Sequence, residues 1–173
     1  MAQKNTFSEK AQLLAFVLQQ GKEWDPQLLN ALQNTWAPLL HLGKLFPFDQ
    51  TSYYKAEMGP NLYRGVLSFS TRISPEKIGE AKLQSNELEI EFSKSETRKV
   101  NIDIAYMDLD KVVLPSYKRG PFKIYGGEGI WLDMLLTYSK GSFKPTAWAF
   151  EDFVRNPYQK DLLLIREKFK ASF

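Results

Sequence analysis

The sequence predicts an α+β fold with a ferredoxin-like βαββαβ core, a mainly antiparallel sheet, and an extension by a C-terminal β-hairpin and helix. The first observation behind this prediction is the order of elements, which reads strand, helix, strand, strand, helix, strand. The second is a glycine turn at 126–129 between two later extended runs. No repeat or linker divides the chain, so we expect a single domain over residues 1–173. An open three-layer α/β sheet is the alternative architecture.

The chain opens with a strand that is predicted to be buried on both faces. Residues 12–19 form a nearly continuous apolar run, which Gly21 follows closely. Asp25 and Pro26 then predict a helix start, with Asp25 as the N-cap and proline at the first helical position. Apolar residues at helical spacing give this helix its inward face: Leu28, Leu29, Leu32 and Trp36.

The second helix is predicted to begin at Ser74 and Pro75 and to run to about Ser93. It follows an extended segment at 39–48 and a strand at 62–70 that alternates between two faces. Its inward stripe is formed by Ile78, Ala81, Ser85, Leu88 and Phe92. Three polar residues lie beside that stripe and are expected to be half-buried and hydrogen-bonded, although a solvated face is equally compatible: Lys82, Asn86 and Glu89.

The strand predicted at 98–106 has two unlike faces. Apolar side chains alternate with Asn101 and Asp103, so an amide and a carboxylate share one face, which is either solvent or a site. We expect this strand and the strand at 12–19 to be neighbours at the centre of the sheet.

The remaining chain is predicted to contain a strand at 111–115, the hairpin around 126–129, an irregular aromatic segment at 143–153 and a final helix. Asn156 and Pro157 are expected to cap that helix. Its apolar stripe should pack on the sheet: Tyr158, Leu162, Ile165 and Phe169.

Composition limits the classes of function. A net charge of +3 with scattered lysines does not predict a nucleic-acid partner. The absence of cysteine excludes disulfides and thiol catalysis. The apolar run near the N-terminus is too short for a membrane span or signal core, so we expect a cytoplasmic protein without a membrane partner.

The loop at 46–59 combines aromatic and polar residues between two predicted strands, as functional loops often do. Phe46, Phe48 and Tyr54 are expected to fill the core rather than contact a ligand. The polar residues of the loop are open to either interpretation, a site or a solvated surface: Asp49, Thr51, Tyr53 and Glu57.

The sequence does not contain the residues that several kinds of chemistry require. The glycines at 126–129 are not followed by the lysine and hydroxyl residue of a phosphate-binding loop. His41 is the only histidine, so neither a histidine metal site nor a nucleophilic triad is predicted. A carboxylate-only magnesium site remains a weak possibility, built from Asp49, Glu57, Asp103 and Asp133. Acid–base catalysis would depend on Asp103, Glu57, Tyr53 and Lys82.

A set of short motifs is spread over most of the chain: Phe46-Pro47-Phe48 with Thr51, Tyr53-Tyr54, Glu57-Met58-Gly59, Lys82-Leu83, Asn86-Glu87 with Glu89, Arg98, Asn101 with Asp103, Lys118, Ile124-Tyr125, Gly129-Ile130, Trp148 and Asp152-Phe153. Together these motifs resemble a bacterial family, the domain-of-unknown-function family 4416. The sequence departs from the family where Ile104-Ala105 replace a Pro-Gly turn. The resemblance implies no established activity, although members are sometimes labelled GTP-binding.

Three functional interpretations remain open. The favoured one is binding of a small polar or anionic molecule under the 46–59 loop, with no cofactor and no metal. The others are an enzyme that uses carboxylates and a tyrosine, and a protein-interaction module that uses the aromatic segment 148–153. The candidate ligand-binding residues are Thr51, Tyr53, Tyr54, Glu57, Lys82, Asn86, Arg98, Asn101, Asp103, Lys118, Tyr125 and Trp148.

Overall fold

The computed structural model describes residues 10–49, 54–93 and 98–172. These ranges contain nine strands and five α-helices, with a 3-10 turn at Pro75–Lys77. In chain order the elements are β1 Ala11–Gln20, α1 Pro26–Thr35, β2 Leu39–Leu42, β3 Phe46–Pro47, α2 Lys55–Met58, β4 Leu62–Ile73, α3 Ile78–Glu91, β5 Val100–Met107, β6 Lys111–Ser116, β7 Ile124–Gly127, β8 Ile130–Ser139, β9 Ser142–Pro145, α4 Glu151–Arg155 and α5 Gln159–Lys170.

One mixed α+β architecture results, built on a large antiparallel sheet in the order β2-β4-β1-β5-β6-β8-β7. The strand β3 adds to β4, and β9 adds to β8. The predicted neighbours are paired: β1 runs antiparallel to β5 from Gln12–Met107 to Gln19–Val100. The predicted glycine hairpin is also confirmed, since β7 and β8 pair antiparallel around it and extend the sheet beyond β6.

Helices cover both faces of the sheet, which explains why residues 13–18 of β1 are all apolar. Leu13, Ala15 and Val17 pack with α1 and α3 in one core cluster. Leu14 and Phe16 pack on the opposite face, in a cluster that contains side chains of α4 and α5. A strand with both faces covered buries every side chain, so it needs no polar alternation.

The helix starts were predicted with mixed success. Asp25 caps α1 as expected, because its side chain accepts hydrogen bonds from the backbone N–H groups of Gln27 and Leu28. Ser74 makes no capping hydrogen bond through its side chain, and a 3-10 turn precedes α3 instead. Asn156 ends α4 in a left-handed conformation, with φ of 44°, rather than capping α5.

The aromatic segment at 143–153 is more regular than predicted, because it contains β9 and the start of α4. Phe92 is half-buried at the C-terminal end of α3 rather than fully buried, since the helix ends there. The rest of the inward stripe of α3 is buried as expected: Ile78, Ala81, Ser85 and Leu88. None of the helices in the described ranges is both long and apolar enough to span a membrane.

Candidate functional site

A cavity of about 530 Å³ lies where the sheet divides between β5 and β6. In the described residues these strands pair only at Tyr106–Val113 and Met107–Val112, next to the turn that joins them. Beyond that point they separate, so Asn101 of β5 and Leu114 of β6 line a cavity instead of pairing. The division opens a space within the sheet that helices on both faces border.

The helix α3 supplies one wall of this cavity. Lys82, Asn86 and Glu89 are half-buried, as the sequence predicted, and all three line the cavity. Their spacing of four and three residues places them along one stripe of the helix. The Oε1 atom of Glu89 accepts a hydrogen bond from the backbone N–H of Ile102 at 2.6 Å. Glu89 therefore occupies a hydrogen-bonding position on β5 that a neighbouring strand would otherwise fill.

Arg64 of β4 is the central buried charge of the site, with 4% of its surface exposed. Its Nη2 atom lies 2.5 Å from Asp103 of β5, and its Nη1 atom lies 2.8 Å from Asp152 of α4. The hydroxyl of Tyr158 also donates to Asp152, at 3.1 Å. Burial by itself would lower the pKa of Arg64, but the carboxylates of Asp152 and Asp103 outweigh this effect and raise it. The guanidinium therefore stays charged.

Arg98 joins the same cavity to the helix α2. Its Nη2 atom donates to Glu57 at 2.7 Å, and its Nη1 atom donates to Asn101 at 2.9 Å. A longer contact of 3.4 Å joins Nη1 to Glu89. The guanidinium also lies 5.6 Å from the centre of the Tyr54 ring. Arg98 thereby links α2, α3 and β5.

The carboxyl group of Glu89 is held in an unfavourable environment for its charge. Burial raises its pKa, while the N–H of Ile102 and the charges of Lys82 and Arg98 oppose that rise. Burial has the larger effect and the pKa is raised, so the neutral form of this carboxyl is favoured more than it is in water.

Several polar groups of the cavity wall have no protein partner. The described structure gives the side chains of Lys82 and Asn86 no hydrogen bond or ion pair. Three buried donor nitrogens of lining residues are also unpaired: Nε of Arg64, Nε of Arg98 and Nδ2 of Asn101. Buried polar groups normally have partners, so such a concentration of unpaired donors calls for an explanation.

The structure brings together seven of the twelve predicted site residues. Tyr54, Lys82, Asn86, Arg98, Asn101, Asp103 and Lys118 all line the cavity. Glu57 is not in the cavity wall, and it contacts the site through Arg98. Thr51 and Tyr53 lie outside the described residues.

Tyr125 and Trp148 lie away from the cavity. Tyr125 packs against Trp131, with ring centres 5.3 Å apart. Trp148 stacks on Phe122 at 4.8 Å and donates from Nε1 to Asp133 at 3.0 Å. In the segment 148–153, Phe153 is fully buried and Phe150 is 51% exposed. Only part of this segment thus offers an aromatic surface to a partner protein.

Sequence reasoning missed Arg64 and Asp152 as members of the site. Alternation along the strand predicted at 62–70 places Arg64 on one of its two faces, and no packing partner was predicted for that face. Its position between the apolar residues Leu62 and Val66 was the available signal, because a buried arginine requires a carboxylate. Glu89 was expected to be half-buried, but its hydrogen bond to a strand amide had no sequence signal.

The four carboxylates considered for a magnesium site are dispersed, and each contacts a cationic side chain instead. Asp49 lies 3.9 Å from Arg155, and Asp133 lies 3.8 Å from Lys123. Within the described ranges, no group of three or more histidine, aspartate or glutamate side chains is placed to hold a metal ion.

Neither a comparison with curated proteins nor one with solved structures gives a match. A scan against protein families matches residues 9–169 to the family described as Domain of unknown function (DUF4416). That range contains every lining residue of the cavity, from Phe48 to Asp152. It spans nearly the whole chain, and the chain therefore belongs to the DUF4416 family.

Proposed function

We propose that this protein binds a small molecule with an anionic group in the cavity between β5 and β6. The observation that carries this proposal is the pair Lys82 and Asn86, one helical turn apart on α3 and without protein partners in the described structure. An ammonium and a carboxamide in one wall supply charge and directed hydrogen bonds to an acceptor group. The ammonium of Lys82 makes no ion pair in the described structure, and an anionic ligand would supply one.

The size and lining of the cavity support this proposal. A volume of about 530 Å³ lies within the usual range of small-molecule sites. Apolar and aromatic side chains from three segments contribute walls: Phe48, Leu114 and Phe150.

Calorimetry and thermal-shift measurements with a panel of anions would test the proposal. The panel includes inorganic phosphate, sulfate, citrate, simple carboxylates, amino acids and nucleotides. A probe at a hundred times its dissociation constant should add about 2.7 kcal/mol of stability. We expect Lys82→Gln to weaken binding at least tenfold, which corresponds to about 1.4 kcal/mol.

Lys160→Gln is the matched control, because Lys160 is exposed on α5 and is not a lining residue. It removes the same charge and should leave the affinity unchanged. If no anion of the panel binds, or if both variants weaken binding equally, the proposal is wrong.

We also propose that the first six predicted elements form a ferredoxin-like core. Support comes from the antiparallel order β2-β4-β1-β5 and from α1 and α3, which pack on the same face of the sheet. A crystal structure that superposes on ferredoxin-like domains over these elements is the expected result. A different strand order would contradict it.

A further inference from the structure

We propose that the ligand is zwitterionic, with an acidic group that contacts Lys82 and Asn86 and a protonated amine that contacts Asp103. This inference rests on the proposed binding in the cavity and specifies the class of ligand. It follows from the distribution of uncompensated charge over the cavity wall.

The Arg64 side of the cavity has an excess of negative charge. One guanidinium faces the carboxylates of both Asp103 and Asp152. The Asp152 side chain is 3% exposed, whereas that of Asp103 is 20% exposed. Among the described residues, the carboxylate of Asp103 accepts a hydrogen bond only from Arg64. Asp103 is therefore the carboxylate that a cationic group in the cavity can reach.

On the α3 side, the ammonium of Lys82 makes no ion pair in the described structure. Glu89 of the same wall attracts it, but the oxygens of Glu89 are already bonded to Ile102 and Arg98. A simple anion would pair with Lys82 and would leave Asp103 to share the single guanidinium of Arg64 with Asp152, at an increased cost once water is displaced. A ligand with one group of each sign neutralises both residues. Charge complementarity of this kind also rejects ligands that carry a single sign.

Neither arginine has two free terminal nitrogens for the bidentate contact that usually binds a phosphate. Both terminal nitrogens of Arg64 donate to Asp103 and Asp152. Both terminal nitrogens of Arg98 donate to Asn101, Glu89 and Glu57. Recognition of the acidic group then falls to ammonium and carboxamide groups of the wall, of which those of Lys82 and Asn86 make no hydrogen bond or ion pair in the described structure. This set suits a carboxylate better than a dianionic phosphate, which favours bidentate arginine contacts.

Pairs of probes that differ by one amino group would test the inference on the wild-type protein. Glycine, β-alanine, γ-aminobutyrate and the common α-amino acids are each compared with the corresponding acid that lacks the amine. We expect the best amino acid to bind at least about tenfold more tightly than its deamino partner, a difference of about 1.4 kcal/mol. The corresponding amine without the carboxylate should also bind weakly.

Asp103→Asn supplies a second test through a change of specificity. It should remove the preference for the amine and should improve binding of the deamino acid, a reversal that unfolding would not produce. Asp110→Asn is the matched control, because Asp110 is exposed and lies outside the cavity. It should leave both affinities unchanged.

The outcomes separate this inference from the proposed function. If deamino acids or inorganic phosphate bind as tightly as every amino acid, the ligand is a simple anion and the zwitterion inference is overturned, while the proposed function stands. If no anion, amino acid or phosphate binds, both are overturned.

Discussion

The Nη1 atom of Arg64 lies 2.8 Å from the Oδ2 atom of Asp152, although 88 residues separate them in the chain. Both side chains are at least nine-tenths buried, and Asp103 lies on the other branch of the same guanidinium. This ion pair connects the central sheet to α4. It also fixes the charge on one side of the cavity.

Replacement of Arg64 by methionine should lower the free energy of unfolding by about 3–5 kcal/mol, because it leaves two carboxylates partly or fully buried without a cation. Urea unfolding measures this loss. Arg155→Met is the control, since Arg155 is exposed and pairs with Glu151 on the surface of α4; it should cost about 1 kcal/mol or less. Equal losses for the two variants would show that the Arg64 network contributes no more than a surface pair.

Phe92 and Leu88 should differ in how much they stabilise α3. Phe92 is half-buried, so Phe92→Ala should cost about 1–2 kcal/mol, less than the 3–5 kcal/mol of a fully buried phenylalanine. Leu88 is 6% exposed, and Leu88→Ala should cost about 2–5 kcal/mol. Chemical denaturation of both variants measures the two losses. A larger loss for Phe92→Ala than for Leu88→Ala would mean that the end of α3 packs more tightly than described.

The raised pKa of Glu89 predicts a pH dependence of stability. The folded state holds the Glu89 proton more tightly than the unfolded state, whose carboxyl has a pKa near the usual 4.5. The wild type should therefore lose stability relative to Glu89→Gln as the pH rises above about 4.5, until it passes the raised pKa. Thermal unfolding of both proteins from pH 4 to pH 8 tests this sign. If the stability of the wild type minus that of Glu89→Gln stays constant or increases with rising pH, the prediction is wrong.

Variants of Glu57 and Asp103 should distinguish a residue that supports the site from a residue that contacts the ligand. Glu57 is 40% exposed, pairs with Arg98 and does not line the cavity. Glu57→Gln should cost about 1 kcal/mol or less in stability and should change the affinity of any detected ligand less than Asp103→Asn does. Calorimetric titration of both variants with the same ligand compares them. Two equal changes in affinity would place Glu57 in the binding site itself.

Local patterns predicted the fold well where the signal was short-range. The apolar run of β1, the Asp25 cap of α1 and the glycine hairpin each depend on neighbouring residues, and each is confirmed. The cap signals at Ser74 and Asn156 failed for a related reason. The same residue types also favour turns and left-handed conformations, and the surrounding packing selects among these alternatives.

The cavity could be predicted only in part. Alternation along β5 identified Asn101 and Asp103, and helical spacing identified Lys82 and Asn86. Arg64 could not be assigned, because its buried position depends on α4 covering a sheet face from much later in the chain. The separation of β5 from β6 was also not predicted, and it begins where β6 shifts its register on β8, between Val112 and Val113.

The hydrogen bond from the Ile102 amide to Glu89 sets how that amide should exchange with solvent deuterium. Amides of β5 that donate to β1 are protected by the sheet ladder and should open only with the core. The Ile102 amide is held by a side chain of α3, so a small displacement of that helix exposes it without unfolding the sheet. One position in the most central strand should therefore report on movements of the cavity wall rather than on global stability.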